Sequence, residues 1–444
     1  MSLLEDRVRR ALRETAEEIT PLNVPPLRLP PRGGRGSGAS RLRSRPAGWP
    51  GWLTPLAAAA AVAAVLAATL ALTGTLSGHR PADRGRPVKT LRGLPRFYIV
   101  LADTGGGAGQ RAWRQQAVVR ATATSQVVAM LTPPQPDNAF LMVAAAGGGR
   151  YVLAAQRIEF KRVGHGSIPG HRSAIRFYQV RIGSSGQVSP LRLLPVPALP
   201  SGTYLDGLAL TPDGRKLAVA SQAAGPGRVP EIQVDTLATG ARRVWTWPGG
   251  QPVRESTGGT GSAVSWAADD RTLAFQRLVG SQIQVRLLDT AAPGSSLAAS
   301  RVAVSRYWDG SVNSRFRHGR AVNDIMMFGT LLTPDGSKIV CATDTETQRP
   351  QTDELAFTEF SARTGKVVAQ LGRWRITGHW PTEIQEVLWT NADGSTLLVV
   401  AHQPGVTVDS QGGFPIQFGV LRGNRYTPLP GAPNPDKLDV WPAW

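Results

Sequence analysis

The chain has 444 residues, of which 41% are hydrophobic, with 50 basic against 31 acidic side chains and a net charge of +19. That length and apolar content exclude a wholly disordered chain or a disulfide mini-protein, and leave room for two or three average domains or one large β-architecture with extensions. The single cysteine, Cys341, excludes an intramolecular disulfide.

Nearly all the positive charge is arginine, since lysine occurs only at Lys89, Lys161, Lys216, Lys338, Lys366 and Lys437. Two readings compete. A basic surface attracts nucleic acid or anionic lipid, whereas a compositional Ala/Arg/Gly/Pro bias spreads arginine without forming a patch. The scatter of arginine favours the second reading and speaks against a nucleic-acid partner. Cys341 sits in the apolar run Lys338-Ile-Val-Cys-Ala342 and reads as a small buried hydrophobe.

Residues 1–20 read as an amphipathic helix. Ser2-Leu-Leu-Glu5 fits a capping box, Leu4, Val8, Ala11, Leu12, Thr15 and Ile19 recur at mostly helical spacing, and Thr20-Pro21 ends the run. Its face suits a cytoplasmic partner or anionic lipid, against the competing reading of a solvated helix with neither. Residues 21–52 are rich in Pro, Gly, Ser and Arg and read as a disordered linker.

Leu53 to Leu76 (LTPLAAAAAVAAVLAATLALTGTL) carries no ionisable side chain over 24 residues. A membrane-spanning helix needs about 20 mainly apolar residues, because its backbone polar groups must all be satisfied within the segment. Arg41, Arg43 and Arg45 precede this run and Arg80, Arg84, Arg86 and Lys89 follow it, a modest asymmetry that places the N-terminus in the cytoplasm. Trp49 and Trp52 fit an interfacial anchor. A cleaved signal peptide is the rival reading; its apolar region would exceed the usual ~7–15 residues. The expectation is an uncleaved signal anchor and a cell-membrane, single-pass protein. Residues 77–94 follow as a juxtamembrane linker.

From residue 95 to 444 the pattern changes to short β-rich runs with a repeating unit. Leu205–Ser221 (LDGLALTPDGRKLAVAS) with Glu231–Trp247 has relatives at Ala263–Gln276 with Gln282–Gly294, Met326–Thr343 with Leu355–Gly372, Ile384–Ala401 with Phe418–Gly431, and a weaker copy at Ala139–Gln156 with Ile175–Pro195. Each unit reads as four strands, a to d. Thr211-Pro-Asp-Gly214, Thr333-Pro-Asp-Gly336 and Asn391-Ala-Asp-Gly394 make the a–b turns, where Pro presets φ, Asp closes an Asx-type turn and Gly takes φ > 0. Ala238-Thr-Gly240, Arg363-Thr-Gly365 and Ser184-Ser-Gly186 make the c–d turns. Four-strand units at a period of ~40–60 residues indicate an all-β fold, a β-propeller.

The pattern TPDGRKLAVAS…IQVDTLATG resembles the blades of WD40-like, YVTN-like and TolB-like bacterial propellers over most of residues 95–444, without the Gly-His and Trp-Asp signatures of strict WD40 repeats. The head-plus-span arrangement resembles single-pass actinobacterial membrane proteins, which implies an extracytoplasmic propeller. Inner strands fall near residues 139, 205, 263, 326, 384 and 438, and the last, Lys437–Trp444, has no b strand after it. It therefore completes the N-terminal sheet, hiding two open edges and giving six blades; seven is the alternative if residues 295–324 hold a further sheet.

No HExxH, GxSxG, Walker or EF-hand pattern occurs, so the sequence offers no catalytic, cofactor or metal motif. His165 and His171 share a Gly-rich loop and read as solvated rather than as a metal pair. The b–c and d–a connections are long, at Asp103–Gln116, Arg157–Arg172, Ser221–Pro230, Pro248–Gly261, Arg306–Asp324, Thr343–Glu354, Arg373–Glu383 and His402–Pro415. Long loops on a rigid scaffold are the usual home of recognition. The expected ligand-binding residues are Arg306, Tyr307, Trp308, Arg315, Phe316, Arg317 and His318 in one such loop, with Trp374 in another, because aromatic and arginine side chains together make hot spots. The competing reading packs Trp308, Trp374 and Trp380 between blades. The functional expectation is a non-catalytic binding or scaffolding module for a protein or cell-envelope ligand. The alternatives are an extracytoplasmic hydrolase or lyase with a site built from several blades, and a cytoplasmic scaffold.

Overall fold

The computed structural model describes residues 93–103, 115–163, 166–222, 229–248, 264–279, 282–307, 325–348, 351–377, 386–402, 416–432 and 440–444. The chain divides into two compact units, Met1–Arg84 and Gly85–Trp444, and every described residue belongs to the second. The expected N-terminal helix, linker and span lie outside the described residues. Among those described, no helix is long and apolar enough to cross a membrane.

The second unit is all-β and propeller-like. Its strands fall into four-strand antiparallel groups in chain order. The first contains β1 (Phe97–Asp103), β2 (Gln115–Ala121) and β3 (Val127–Leu131). The second contains β4 (Ala139–Ala146) and β5 (Arg150–Gln156); a separate hairpin, β6 (Ile158–Val163) and β7 (Gly166–Arg172), then leads to β8 (Arg176–Arg181) and β9 (Arg192–Leu193). The third is β10 (Tyr204–Leu210), β11 (Lys216–Gln222), β12 (Pro230–Thr236) and β13 (Arg242–Thr246). The fourth is β14 (Val264–Trp266), β15 (Thr272–Val279), β16 (Gln282–Asp289) and β17 (Arg301–Tyr307). The fifth is β18 (Ile325–Leu332), β19 (Lys338–Gln348), β20 (Gln351–Ser361) and β21 (Val367–Thr377). The sixth is β22 (Glu386–Thr390), β23 (Thr396–His402), β24 (Ile416–Arg422) and β25 (Arg425–Pro428). The last strand, β26 (Val440–Ala443), returns to pair antiparallel with β1, Ile99 opposite Ala443. The first and second groups touch through one parallel pair, Gln115 with Ala139, and so count as one eight-stranded sheet.

Successive side chains of a strand point to opposite faces, and here each face meets a different neighbour. Ile99 and Leu101 pack with Phe140, Tyr151 and Leu153 of the second group, while Tyr98 and Val100 pack with Leu398, Val400 and Phe418 of the sixth. Similar apolar seams join second to third, third to fourth, fourth to fifth and fifth to sixth. Burying strands on both faces explains why runs such as Lys216–Gln222 (KLAVASQ) do not alternate with polar residues. Each large apolar side chain taken out of water in these seams contributes about 1.5–3 kcal/mol. Innermost strands β4, β10, β14, β18, β22 and β26 touch one another in a closed cycle. Five of them carry a register shift, after Phe140, Leu205, Phe328 and Val387 and between Val440 and Ala443 of β26; such bulges bend a strand and sharpen its twist.

The a–b turns follow the expected chemistry. Thr211 donates its hydroxyl to Asp213 Oδ1 at 2.7 Å, and Asp213 Oδ1 accepts the Arg215 amide at 2.9 Å. Thr333, Asp335 and Ser337 repeat this at 2.6 and 2.9 Å. In the fourth group Asp269 accepts the amides of Arg271 and Thr272 at 2.9 and 2.8 Å, and Asp270 stands where the others have glycine, with φ of +52°.

The connections differ from expectation. Residues 157–172 are mostly the β6–β7 hairpin rather than a loop, and 343–354 is the far end of a hairpin whose two strands are 11 residues each. Their backbones continue pairing past the sheet edge, an alternative that loop-like composition did not exclude. Residues 301–307 are the outer strand of the fourth group and not part of an additional sheet.

Candidate functional site

The innermost strands enclose a cavity of about 1060 Å³. Each strand contributes an apolar side chain to its wall, Met142, Leu208, Trp266, Leu331, Leu388 and Ala443 in chain order. Inner strands that must bury both faces supply apolar residues, and their twist and bulges keep the six from meeting on the axis. Gly329 shows how tight the ring is between its fifth and sixth groups. Its φ is +51°, and a Cβ there would overlap Cγ of Glu386, a residue of the cavity wall.

One mouth of the cavity is ringed by the a–b turns. The Gly147 amide donates to the Pro212 carbonyl at 3.1 Å, Ala268 to Pro334 at 2.6 Å, and Asp335 to Ala392 at 3.2 Å. Each of these bonds joins the turn of one group to that of the next. Between the third and fourth groups Lys216 Nζ donates to the Asp270 carbonyl at 2.7 Å. Arg96 and Glu386 are the charged residues among those lining the cavity, and Arg96 Nη1 is held by the Ser184 carbonyl at 3.1 Å. Trp444 closes the wall beside β1, stacked on Tyr98 with ring centroids 4.6 Å apart. Its indole Nε1 is buried and meets no acceptor among the described residues.

Tyr98, Tyr151 and Cys341, buried in the core, are held in their neutral forms. Burial raises the Tyr98 and Tyr151 phenols, and the Tyr151 hydroxyl donates to the Phe97 carbonyl at 2.8 Å. Burial pushes the Cys341 thiol up to about 12, so it stays protonated and unreactive at neutral pH. Among the described residues no group of three His, Cys, Asp or Glu side chains is placed to hold a metal ion. This arrangement is suited to enclosing an apolar group.

Many arginines are used inside the fold. Arg176 grips Asp137 through two bonds of 3.0 and 2.5 Å, with the Tyr178 hydroxyl on the same carboxylate at 3.0 Å. Arg242 grips Asp235 at 2.7 and 3.2 Å and reaches the Pro197 carbonyl of the previous group at 2.8 Å. Arg243 spans to the next group, donating to the Thr290 and Gly294 carbonyls at 2.9 and 3.1 Å. Planar guanidinium forks suit such cross-seam bonds, and they account for part of the scattered basic composition.

Of the expected site residues, Trp308, Arg315, Phe316, Arg317 and His318 lie outside the described residues. Arg306 and Tyr307 end strand β17 rather than starting a loop, and Trp374 lies within strand β21. Arg306 stacks over the Phe360 ring of the fifth group, 4.9 Å from its centroid. It is therefore partly a seam residue. His171 lies in β7 and His165 outside the described residues. The cavity wall was missed by sequence reasoning that looked to loops; its signal was the non-alternating apolar runs of the inner strands.

No family model matches the chain, and no curated protein matches it. Among solved structures, TolB from Acinetobacter baumannii is similar at 13% identity and TM-score 0.35, over 79% of this chain and 73% of that one. The propeller domain of the trilobed protease from Pyrococcus furiosus is similar at 12% identity and TM-score 0.34, over 65% and 71%. The periplasmic gluconolactonase PpgL of Pseudomonas aeruginosa is similar at 13% identity and TM-score 0.32, over 75% of this chain and 100% of that one. The propeller-like arrangement of this chain rests on its own strand pairing and seams.

Proposed function

We propose that residues 95–444 form a six-bladed β-propeller closed by its C-terminal strand, and that it is a binding module for a protein or cell-envelope ligand. The closed cycle of inner strands and the β1–β26 pairing support the blade number. In this reading residues 53–76 anchor the chain in the cell membrane with the N-terminus in the cytoplasm and the propeller outside. The observation that carries the binding role is the axial cavity, whose volume of about 1060 Å³ is near the upper end of the ~300–1,000 Å³ usual for ligand pockets. Its apolar wall takes the apolar part of a ligand. The segment from Arg306 to Arg320 is a second contact area in this proposal.

The test is crosslinking in intact cells followed by capture of the full-length protein. Leu388→Arg places a charge in the cavity wall, while Val302→Arg changes an exposed outer-strand position. The expected result is a discrete adduct with wild type and Val302→Arg that Leu388→Arg loses while still folded. An adduct of equal yield with Leu388→Arg contradicts the cavity assignment. Loss of the adduct on deleting residues 306–320 instead moves the site to that segment.

A further inference from the structure

Away from the cavity, the seam between the third and fourth groups holds two arginines on one indole. Arg277 of β15 lies with its guanidinium carbon 3.9 Å from the centroid of the Trp247 ring, and Arg286 of β16 lies 5.2 Å from the same ring. Arg277 is paired across the sheet with Gln284, and Arg286 with Phe275, so all four side chains share one face of the fourth group. Trp247 follows β13, the outermost strand of the third group, at its d–a end. The cluster thus occupies the half of the seam that faces away from the a–b turns.

The two guanidiniums are treated differently. Arg286 is buried, and its nitrogens are satisfied by neutral acceptors: Ser300 Oγ at 2.9 Å, Gln284 Oε1 at 2.6 Å, and the Ala298 and Ser300 carbonyls at 2.9 and 2.6 Å. Arg277 is half-buried and makes no hydrogen bond among the described residues, and its Nε is fully enclosed. No carboxylate among the described residues pairs with either arginine. The other part-buried arginines described above each meet a carboxylate or backbone carbonyls, so Arg277 is the exception. Stacking on an indole favours this placement, while an enclosed donor without an acceptor opposes it, the more so when charged. Repulsion from Arg286 adds to that cost, and burial together with Arg286 pushes the Arg277 pKa down to about 10. At neutral pH Arg277 still carries its charge, so among the described residues the cluster is positive without a paired carboxylate, and the Arg277 Nη atoms make no hydrogen bond.

We propose that this seam is a binding site for an oxyanion, a carboxylate or phosphate group, gripped by Arg277 against the Trp247 ring with Arg286 as a fixed charge behind it. The geometry suits such a group. A guanidinium fork offers paired donors to two oxygens of one anion, and the indole keeps that fork flat and oriented. Because the Arg286 donors are occupied, it contributes field rather than contact, and Arg277 makes the bonds. This site does not depend on the reading of the axial cavity.

The experiment titrates the full-length protein in detergent with inorganic phosphate and, separately, with acetate, at ionic strength held constant with chloride, by calorimetry and by thermal unfolding. The expected result is saturable one-to-one binding that weakens by at least about tenfold in Arg277→Gln, as loss of a bidentate charged contact requires. The anion-dependent rise in unfolding midpoint is expected to vanish in the same variant. Without added anion, Arg277→Gln is expected to be no less stable than wild type, because it removes an unpaired charge. Arg277→Lys, which keeps the charge without the fork, is expected to bind more weakly than wild type and more tightly than Arg277→Gln. Preference for phosphate over acetate assigns the site to phosphorylated ligands, and the reverse to acidic peptides. Non-saturable heats, or an equal midpoint shift in wild type and Arg277→Gln, would overturn the proposal and leave Arg277 as a seam residue only.

Discussion

The two faces of the ring are built on opposite principles. On the turn face, the short turns of the third to sixth groups are locked internally by an aspartate, and amide-to-carbonyl bonds tie turn to turn around the cavity mouth. On the other face the groups differ: a separate hairpin follows β5, β19 and β20 lengthen to 11 residues each, and Arg277, which makes no hydrogen bond among the described residues, stacks on Trp247. Repetition marks the parts that hold the ring, and variation marks the parts free to take on recognition. The fourth turn sharpens this. It keeps the aspartate at position 269 and gives up the glycine, so Asp270 sits at a φ of +52° beside Asp213 of the third group. The third to sixth groups all keep the amide-accepting carboxylate, the fourth gives up the glycine, and the second, with Gly147–Gly149, has glycines and no carboxylate.

The largest effect is expected from deleting Val440–Trp444, which strips β1 of its inner partner and removes the Tyr98–Trp444 stack. Each large apolar side chain lost from that seam costs about 1.5–3 kcal/mol, so calorimetry should show a broadened, much lower transition. Next is Asp235→Ala on the turn side. Asp235 is buried and Arg242 is only 25% exposed, and breaking such a pair leaves an uncompensated charge worth about 3 kcal/mol, measurable by denaturant titration.

A smaller change of opposite sign is expected from Asp270→Gly, a gain of about 1 kcal/mol as positive φ is relieved. The pH profile carries the same information. Burial, and then the neighbouring Asp213 carboxylate, raise the Asp270 pKa, so the folded state holds that proton more tightly than the unfolded chain. Stability therefore falls as pH rises from the ordinary aspartate value through the raised one. Asp213 behaves oppositely. Burial alone would raise it, but the Thr211 hydroxyl and the Arg215 amide outweigh burial and lower it, so its contribution is present above the ordinary value and lost as pH falls through the lowered one. Unfolding followed against pH should show the decline on the upper side in wild type and lose it in Asp270→Gly. Lys216 and Asp269 face the same pair and remain unchanged in that variant. The smallest effect is expected on the other face, where replacing residues 345–354 by a tight turn should leave the unfolding midpoint unchanged.

Much of the turn face was legible in the sequence, because Thr-Pro-Asp-Gly encodes its own bonds: hydroxyl, carboxylate and positive φ are all properties of the residues in the turn. The return of the C-terminal strand was legible from a missing partner at each end. The other face was less so. Whether a polar run such as Thr343–Glu354 forms a loop or extends a hairpin depends on pairing between distant strands, and its composition permits both. The cavity wall left only a weak trace, since Met142 or Leu388 looks like any core residue until the ring arranges six such strands about an axis. Arg277 and Trp247 are 30 positions apart and meet only because neighbouring groups pack face to face.

The central claim is that the last strand closes the ring around the cavity. Hydrogen exchange of the full-length protein in detergent tests this directly, without mutation. If the ring is closed, amides of residues 97–101 and the paired amides of β26 exchange as slowly as those of β11 in the interior of the third group. Rapid exchange in β26 and β1 while β11 stays protected would contradict it, leaving an open arc with free edges on the first and sixth groups.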